Sequence, residues 1–142
     1  ESNSVFDYRD WQIPLGRRFR SLKLWSVIRH YGIKGMQAHI RQHIESAKAL
    51  TEEINKDDRF ELMAPTVINL VCFRYKGSDK FNEALVQRLN NSGKLYVIHT
   101  KLNNKYTIRF SIGQTKTTWD HVIKAWGLIL QETEALEKEN IS

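Results

Sequence analysis

Tyr106-Thr107-Ile108-Arg109-Phe110-Ser111-Ile112 alternates apolar and polar residues at every step. Successive side chains of a strand point to opposite faces, so Tyr106, Ile108, Phe110 and Ile112 line one side while Thr107, Arg109 and Ser111 line the other. The pattern predicts a sheet with one covered face and one polar face. Just upstream, Leu95 to Thr100 reads as a second strand, joined to the first around Asn103-Asn104, whose short polar side chains tolerate positive φ.

Further upstream, Phe60 and Leu62 alternate with Glu61, and Val67, Ile68, Leu70, Val71, Cys72 and Phe73 form a nearly continuous apolar run. Its shortness and β-branched richness predict a buried strand. Gly77 and Ser78 then open a helix through Ala84, Leu85 and Leu89, closed by Gly93 as a left-handed cap. Phe19, Leu22, Trp25, Ile28 and Tyr31 recur every three residues, an amphipathic helix ended by Gly32. Met36, Ile40, Ile44, Ala47, Leu50 and Ile54 alternate steps of three and four, which predicts a long helix with one apolar face. A last helix carries Val122, Ile123, Trp126, Ile129, Leu130 and Leu136 after a capping pair, Thr117 with Asp120. The order α, α, β, α, β, β, α predicts an α+β layer domain, with helices on one face of a small, mainly antiparallel sheet.

A chain of 142 residues with 41% hydrophobic and 27% charged residues fits one folded unit, not a disordered one. No apolar run reaches the roughly 20 residues that span a bilayer. Cys72 is the single cysteine, so no internal disulfide forms, which favours a reducing compartment and a cytoplasmic setting. Lys and Arg exceed Asp and Glu by 22 to 16, a net charge of +6, so an anionic partner has to be weighed. The excess is uneven: basic residues crowd from Arg9 to Lys34, whereas Glu132 to Glu139 is acidic.

His39 and His43 have the i, i+4 spacing of a metal pair, but Ile40, Arg41 and Gln42 between them supply no carboxylate, and solvent-facing polar positions explain them better than a metal site. Cys72 sits in a hydrophobic strand where burial disfavours the thiolate, so it reads as inert core. The glycines are isolated and form no phosphate loop.

The segment Trp11-Gln12-Ile13-Pro14-Leu15-Gly16-Arg17-Arg18-Phe19-Arg20-Ser21-Leu22-Lys23-Leu24-Trp25 is the least ordinary. It pairs an extended entry with a cationic first helical turn, whose charges oppose the helix dipole. Three readings stay open on the residues alone. The helix binds nucleic-acid phosphates, or is a solvated helix end, or meets carboxylates and carbonyls of a larger protein, with a close backbone approach at Gly16.

This segment resembles the signature of the group II pyridoxal-phosphate-dependent decarboxylases acting on aromatic L-amino acids, in their animal branch. Leu70-Val71-Cys72-Phe73-Arg74, Lys76-Gly77-Ser78, Asn82-Glu83-Ala84-Leu85 and Ile108-Arg109-Phe110 continue the likeness, which covers residues 7 to 136. The resemblance implies the α+β C-terminal domain of an α/β, fold-type I enzyme working as a homodimer. Residues 1–32 would be the end of a mobile loop and of the large cofactor domain with its connecting helix, and residues 33–142 the small C-terminal domain. A start at Glu1, just before the motif, is what cleavage in that loop would leave, with the upstream part of the same polypeptide as partner.

The resemblance implies decarboxylation of an aromatic amino acid of the DOPA, tyrosine or tryptophan kind to amine and CO2, as in catecholamine biosynthesis. Pyridoxal phosphate would be bound mainly by the upstream part, which would also carry the Schiff-base lysine, leaving no catalytic, cofactor-binding or metal residue in this stretch. Gly16 would lie in the substrate pocket, where the missing Cβ leaves room for a catechol, phenol or indole ring. Arg17 would fix that loop by charged hydrogen bonds, with a structural ion pair as its equal alternative. Arg18 and Arg20 would hold domain and dimer surroundings. An oxygen-consuming aromatic aldehyde synthase is the runner-up, and a basic nucleic-acid-binding module the remote one; otherwise no nucleic acid or membrane partner is expected.

Overall fold

Backbone conformation at a few residues sets the boundaries. A computed structural model describes residues 19–141, and the chain divides into two units at Met36 and Gln37. Helix α1 (Arg20–Asn55) passes Gly32 in a left-handed conformation (φ 65°, ψ 169°) that interrupts the helical geometry. The stop predicted at Gly32 is therefore present, as a break between two helical stretches.

In the first unit, the helix from Arg20 carries no acidic residue in its first turn. Phe19, Leu24 and Trp25 are 75%, 61% and 60% exposed, and Leu22 and Ile33 are also exposed. Arg29 lies 5.9 Å from the centre of the Trp25 ring, a cation–π contact at the surface.

In the second unit, strands β1 (Phe60–Leu62), β2 (Leu70–Tyr75), β3 (Ile98–Leu102) and β4 (Lys105–Ser111) form one sheet in the order β1-β2-β4-β3, every neighbour antiparallel. The registers pair Leu62 with Phe73, Phe73 with Ile108 and Val71 with Phe110, which gathers the large apolar residues on one face. Helices α2 (Asp79–Asn91) and α3 (Trp119–Ile141), with the last turns of α1, close that face. Leu85 and Leu89 of α2, Trp126 and Ile129 of α3, and Ala47, Leu50 and Ile54 of α1 join Phe73 and Ile108 in one buried cluster. Phe60, Phe73 and Trp126 meet edge to face at 5.0 to 6.1 Å, worth about 1 kcal/mol per pair beyond burial. Among the described residues no helix is long and apolar enough to cross a membrane.

The turn at Asn103-Asn104 takes positive φ at both residues (51° and 60°), as a two-residue hairpin twisted like its strands requires. Ser78 caps α2, its Oγ accepting from the Phe81 amide, and Gly93 follows the helix at φ 69°. Two asparagines of α2 replace strand neighbours. Oδ1 of Asn82 accepts from the Tyr75 amide at 2.8 Å while its Nδ2 donates to the carbonyls of Tyr75 and Ser78. Asn90 treats Val97 the same way, accepting from its amide at 2.8 Å and donating to its carbonyl at 2.9 Å.

Four expectations need correction. Val67 and Ile68 are exposed, at 75% and 55%, and precede β2, because a strand holds only as long as a neighbour pairs with it, and β4 meets β2 from Leu70 onward. The strand expected at Leu95 to Thr100 begins at Ile98, after Tyr96 turns outward at 79% exposed. In α1, Ile40 is exposed and the buried stripe runs through His43, Ser46, Ala47, Leu50 and Ile54. The cap of α3 shifts by one residue: Thr118 precedes the helix, its carbonyl accepts from the His121 and Val122 amides, and the His121 ring, not Asp120, returns to the cap by accepting the Thr118 N–H at Nδ1.

Candidate functional site

Gly16 and Arg17, the expected substrate-side residues, lie outside the described residues, as does Arg18. Arg20 opens α1 and is exposed. The part of the entry segment that the structure describes is thus a cationic helix whose apolar side chains lie open.

His43 is buried, not solvent-facing, and its Nε2–H donates to the Gln114 carbonyl at 3.2 Å. The ring fastens α1 to the loop after β4, helped by Gln42, whose amide reaches the Thr117 carbonyl at 3.5 Å. His39 is half-buried. Among the described residues no group of three potential ligands gathers around a metal position. Cys72 is buried on the sheet face opposite the helices; burial pushes its thiol up, only partly opposed by Arg109, its cross-strand partner. It has no activating base in these contacts and packs as a small apolar side chain.

Two ionic clusters were not legible in advance. Arg74 is 4% exposed, although it lies one residue from the end of β2. It donates to the carbonyls of Gly77 (2.6 Å) and Tyr75 (3.2 Å) and pairs with Asp79 at 3.2 Å and Glu61 at 3.7 Å. Asp79 also accepts from the Tyr106 amide, so one guanidinium ties β1, β2, β4 and the start of α2 together. In the second cluster, Arg59 contacts Asp57 at 2.7 Å and Glu137 at 3.2 Å, and Tyr75 donates its hydroxyl to Glu137 at 2.9 Å. The Arg59 hydrogen bond holds the Asp57 carboxyl below its usual range, while burial first, and then Glu137, push the Tyr75 hydroxyl up. The sequence signal available was thin: an arginine between apolar strand residues suggests either an edge or a satisfied buried charge.

These contacts are structural. The described residues make one four-stranded antiparallel sheet with helices on one face and satisfied polar groups, the α+β class of a C-terminal domain. The crystal structure of Oryza sativa TDC with PLP and tryptamine superposes with a TM-score of 0.82 at 39% identity, over 94% of this chain and 30% of that one. The chain belongs to the pyridoxal-dependent decarboxylase family, whose conserved-domain model matches residues 1–76. The aromatic-L-amino-acid decarboxylase of Cavia porcellus is 47% identical over 92% of this chain and 27% of its own length. Rhodiola rosea 4-hydroxyphenylacetaldehyde synthase gives a TM-score of 0.79 at 35% identity, covering 94% of this chain and 30% of that one. The chain thus spans less than a third of the length of the relatives it matches.

Pyridoxal phosphate, the cofactor of that family, finds no seat among the described residues. Every described lysine is exposed, so none offers the enclosed amine that anchors an aldehyde cofactor. Among the described residues no buried side-chain nitrogen or oxygen lacks a partner, so none of these donors stands ready for a phosphate or a ring nitrogen. No reaction step is assigned to these residues.

Proposed function

We propose that this chain serves as the C-terminal part of an aromatic L-amino acid decarboxylase, which releases CO2 from a DOPA-, tyrosine- or tryptophan-type substrate and yields the amine. The observation that carries it is the exposed apolar helix after Phe19. Leu22, Leu24, Trp25, Val27, Ile28 and Tyr31 spread over most of its circumference, and each is more than a third exposed. A helix apolar over so wide an arc is a buried element, and the relatives' lengths supply the polypeptide to bury it. Residues 1–32 accordingly belong with the large domain and residues 33–142 form the small one. The upstream part binds the cofactor, the working unit is a homodimer, and its setting is cytoplasmic.

Gly16 walls the substrate pocket and Arg17 fixes that wall. Without a Cβ, Gly16 leaves space for a bulky ring; a serine narrows the space and adds a hydroxyl. The test is steady-state kinetics of the full-length protein with DOPA, tyrosine and tryptophan. Amine and CO2 in equal amounts are expected, and Gly16→Ser lowers kcat/KM for the large rings. No turnover of any aromatic amino acid overturns the proposal, and unchanged kinetics in Gly16→Ser removes Gly16 from the pocket. The Rhodiola rosea likeness favours the aldehyde synthase as second reading, and peroxide formed in step with substrate loss would select it.

A further inference from the structure

A groove of about 990 Å³ runs between one side of α3 and the segments 94–96 and 110–117. Its floor is apolar: Phe110 and Ile112 are buried beneath it, with Ala125 and Leu128 half-buried along α3. Its rim is cationic. Lys94, Lys116 and Lys124 all line it, all are exposed, and none forms an ion pair among the described residues, whereas Arg59, Arg74 and Arg88 each hold carboxylates. Among the described residues the lining includes no Asp or Glu. His121 stands at one end; its Nδ1 accepts the Thr118 N–H, which leaves Nε2 as the donor nitrogen.

A site of this composition discriminates by charge. An apolar floor favours side chains that leave water, and a rim of unpaired ammonium groups without a carboxylate favours anions and repels cations. The groove is open along its length rather than enclosed, and Gln114, Thr117 and Gln131 supply amide and hydroxyl groups along it suited to a peptide main chain. From His121 to Gln131, α3 runs about 15 Å, the length of about five residues of extended chain. In an extended segment alternate side chains point to opposite sides, so apolar residues can face the floor while acidic ones reach the rim.

We propose that this groove docks an extended acidic peptide segment of a partner protein, its apolar side chains on Phe110, Ile112 and Leu128 and its carboxylates at Lys94, Lys116 and Lys124. The proposal rests on the lining of this groove and not on the substrate assignment.

The test uses the full-length protein and the fluorescein-labelled hexapeptide Glu-Leu-Glu-Leu-Glu-Leu, with Lys-Leu-Lys-Leu-Lys-Leu and a labelled oligothymidine as comparisons, read by fluorescence anisotropy. The acidic peptide binds, weakens as salt is raised, and outcompetes both others. The triple variant Lys94→Gln, Lys116→Gln, Lys124→Gln binds about thirtyfold more weakly, at about half a log unit per exposed charge pair, with an unchanged far-UV spectrum and unchanged amine production. Ala125→Glu, which places a carboxylate in the lining, also weakens it. No binding, binding indifferent to both variants, or equal binding of the oligothymidine overturns the proposal.

Discussion

Replacing Asn82 by Asp exchanges one atom and reverses a hydrogen bond's polarity at a site with no exposed surface. Oδ1 can still accept from the Tyr75 amide, but the oxygen in place of Nδ2 faces the Tyr75 and Ser78 carbonyls, now 3.1 and 3.0 Å from the amide nitrogen. Two donated bonds are lost and two carbonyls confront an anion. At about 1 to 2 kcal/mol for each carbonyl left without its donor, the variant loses about 3 kcal/mol at neutral pH. A penalty of that size on the ionised form raises the folded-state pKa by about two units. The sign follows: the native variant keeps a proton that the unfolded chain has released, so stability falls as pH rises from about 4 to about 6 and is level on either side. Asn82→Ala removes all three bonds and shows no such step. Urea unfolding of the chain followed by far-UV circular dichroism, across that range, measures both. A loss below about 1 kcal/mol in Asn82→Asp, or a loss that ignores pH, refutes the reasoning.

Arg74→Met leaves the Gly77 and Tyr75 carbonyls without their donor and should destabilise by about 2 to 4 kcal/mol, less than a fully enclosed pair because Asp79 and Glu61 keep contact with water; urea midpoints at neutral pH report it. Asp57, whose folded pKa is depressed by Arg59, contributes stability that is whole above the unfolded value of about 4 and fades as pH falls through its lower folded value. The deficit of Asp57→Asn, about 1 kcal/mol at neutral pH, should therefore shrink on acidification, as thermal unfolding at several pH values will register. Gly93→Ala meets no atom within 4 Å of its new Cβ, so its loss of about 1 kcal/mol comes from the left-handed backbone alone, and Gly93→Asn should recover part of it.

Elements governed by local chemistry were readable from sequence. The alternation from Tyr106 to Ile112 buries Tyr106, Ile108, Phe110 and Ile112 as expected, although Thr107 on the other face is buried too, and Asn103-Asn104, Gly32, Ser78 and Gly93 mark turns, breaks and caps because positive φ and side-chain capping are properties of single residues. Long-range partners were less readable. Val67 and Ile68 match a buried strand in every local respect, but no neighbouring strand reaches them. His43 looks polar until the Gln114 carbonyl arrives from seventy-one residues away. Arg74, Asn82 and Asn90 would each be read as surface residues, and each is tied to main-chain groups that only the folded chain assembles. At the candidate site the pattern around Gly16 and Arg17 carried the family resemblance, and the family is confirmed over residues 1–76. Gly16 and Arg17 themselves lie outside the described residues.

The two outer strands of the sheet differ in how they resist unwanted growth. β1 is only three residues long, and its Glu61 is engaged with Arg74 and Lys105, so it offers little template for an intruding chain. β3 is longer, but Lys101 and His99 stand exposed along it, and a second β3 laid alongside would bring like charges together at Lys101. A sheet with those margins resists polymerising through its edges. Neutralising Lys101 would remove that guard while leaving the core untouched.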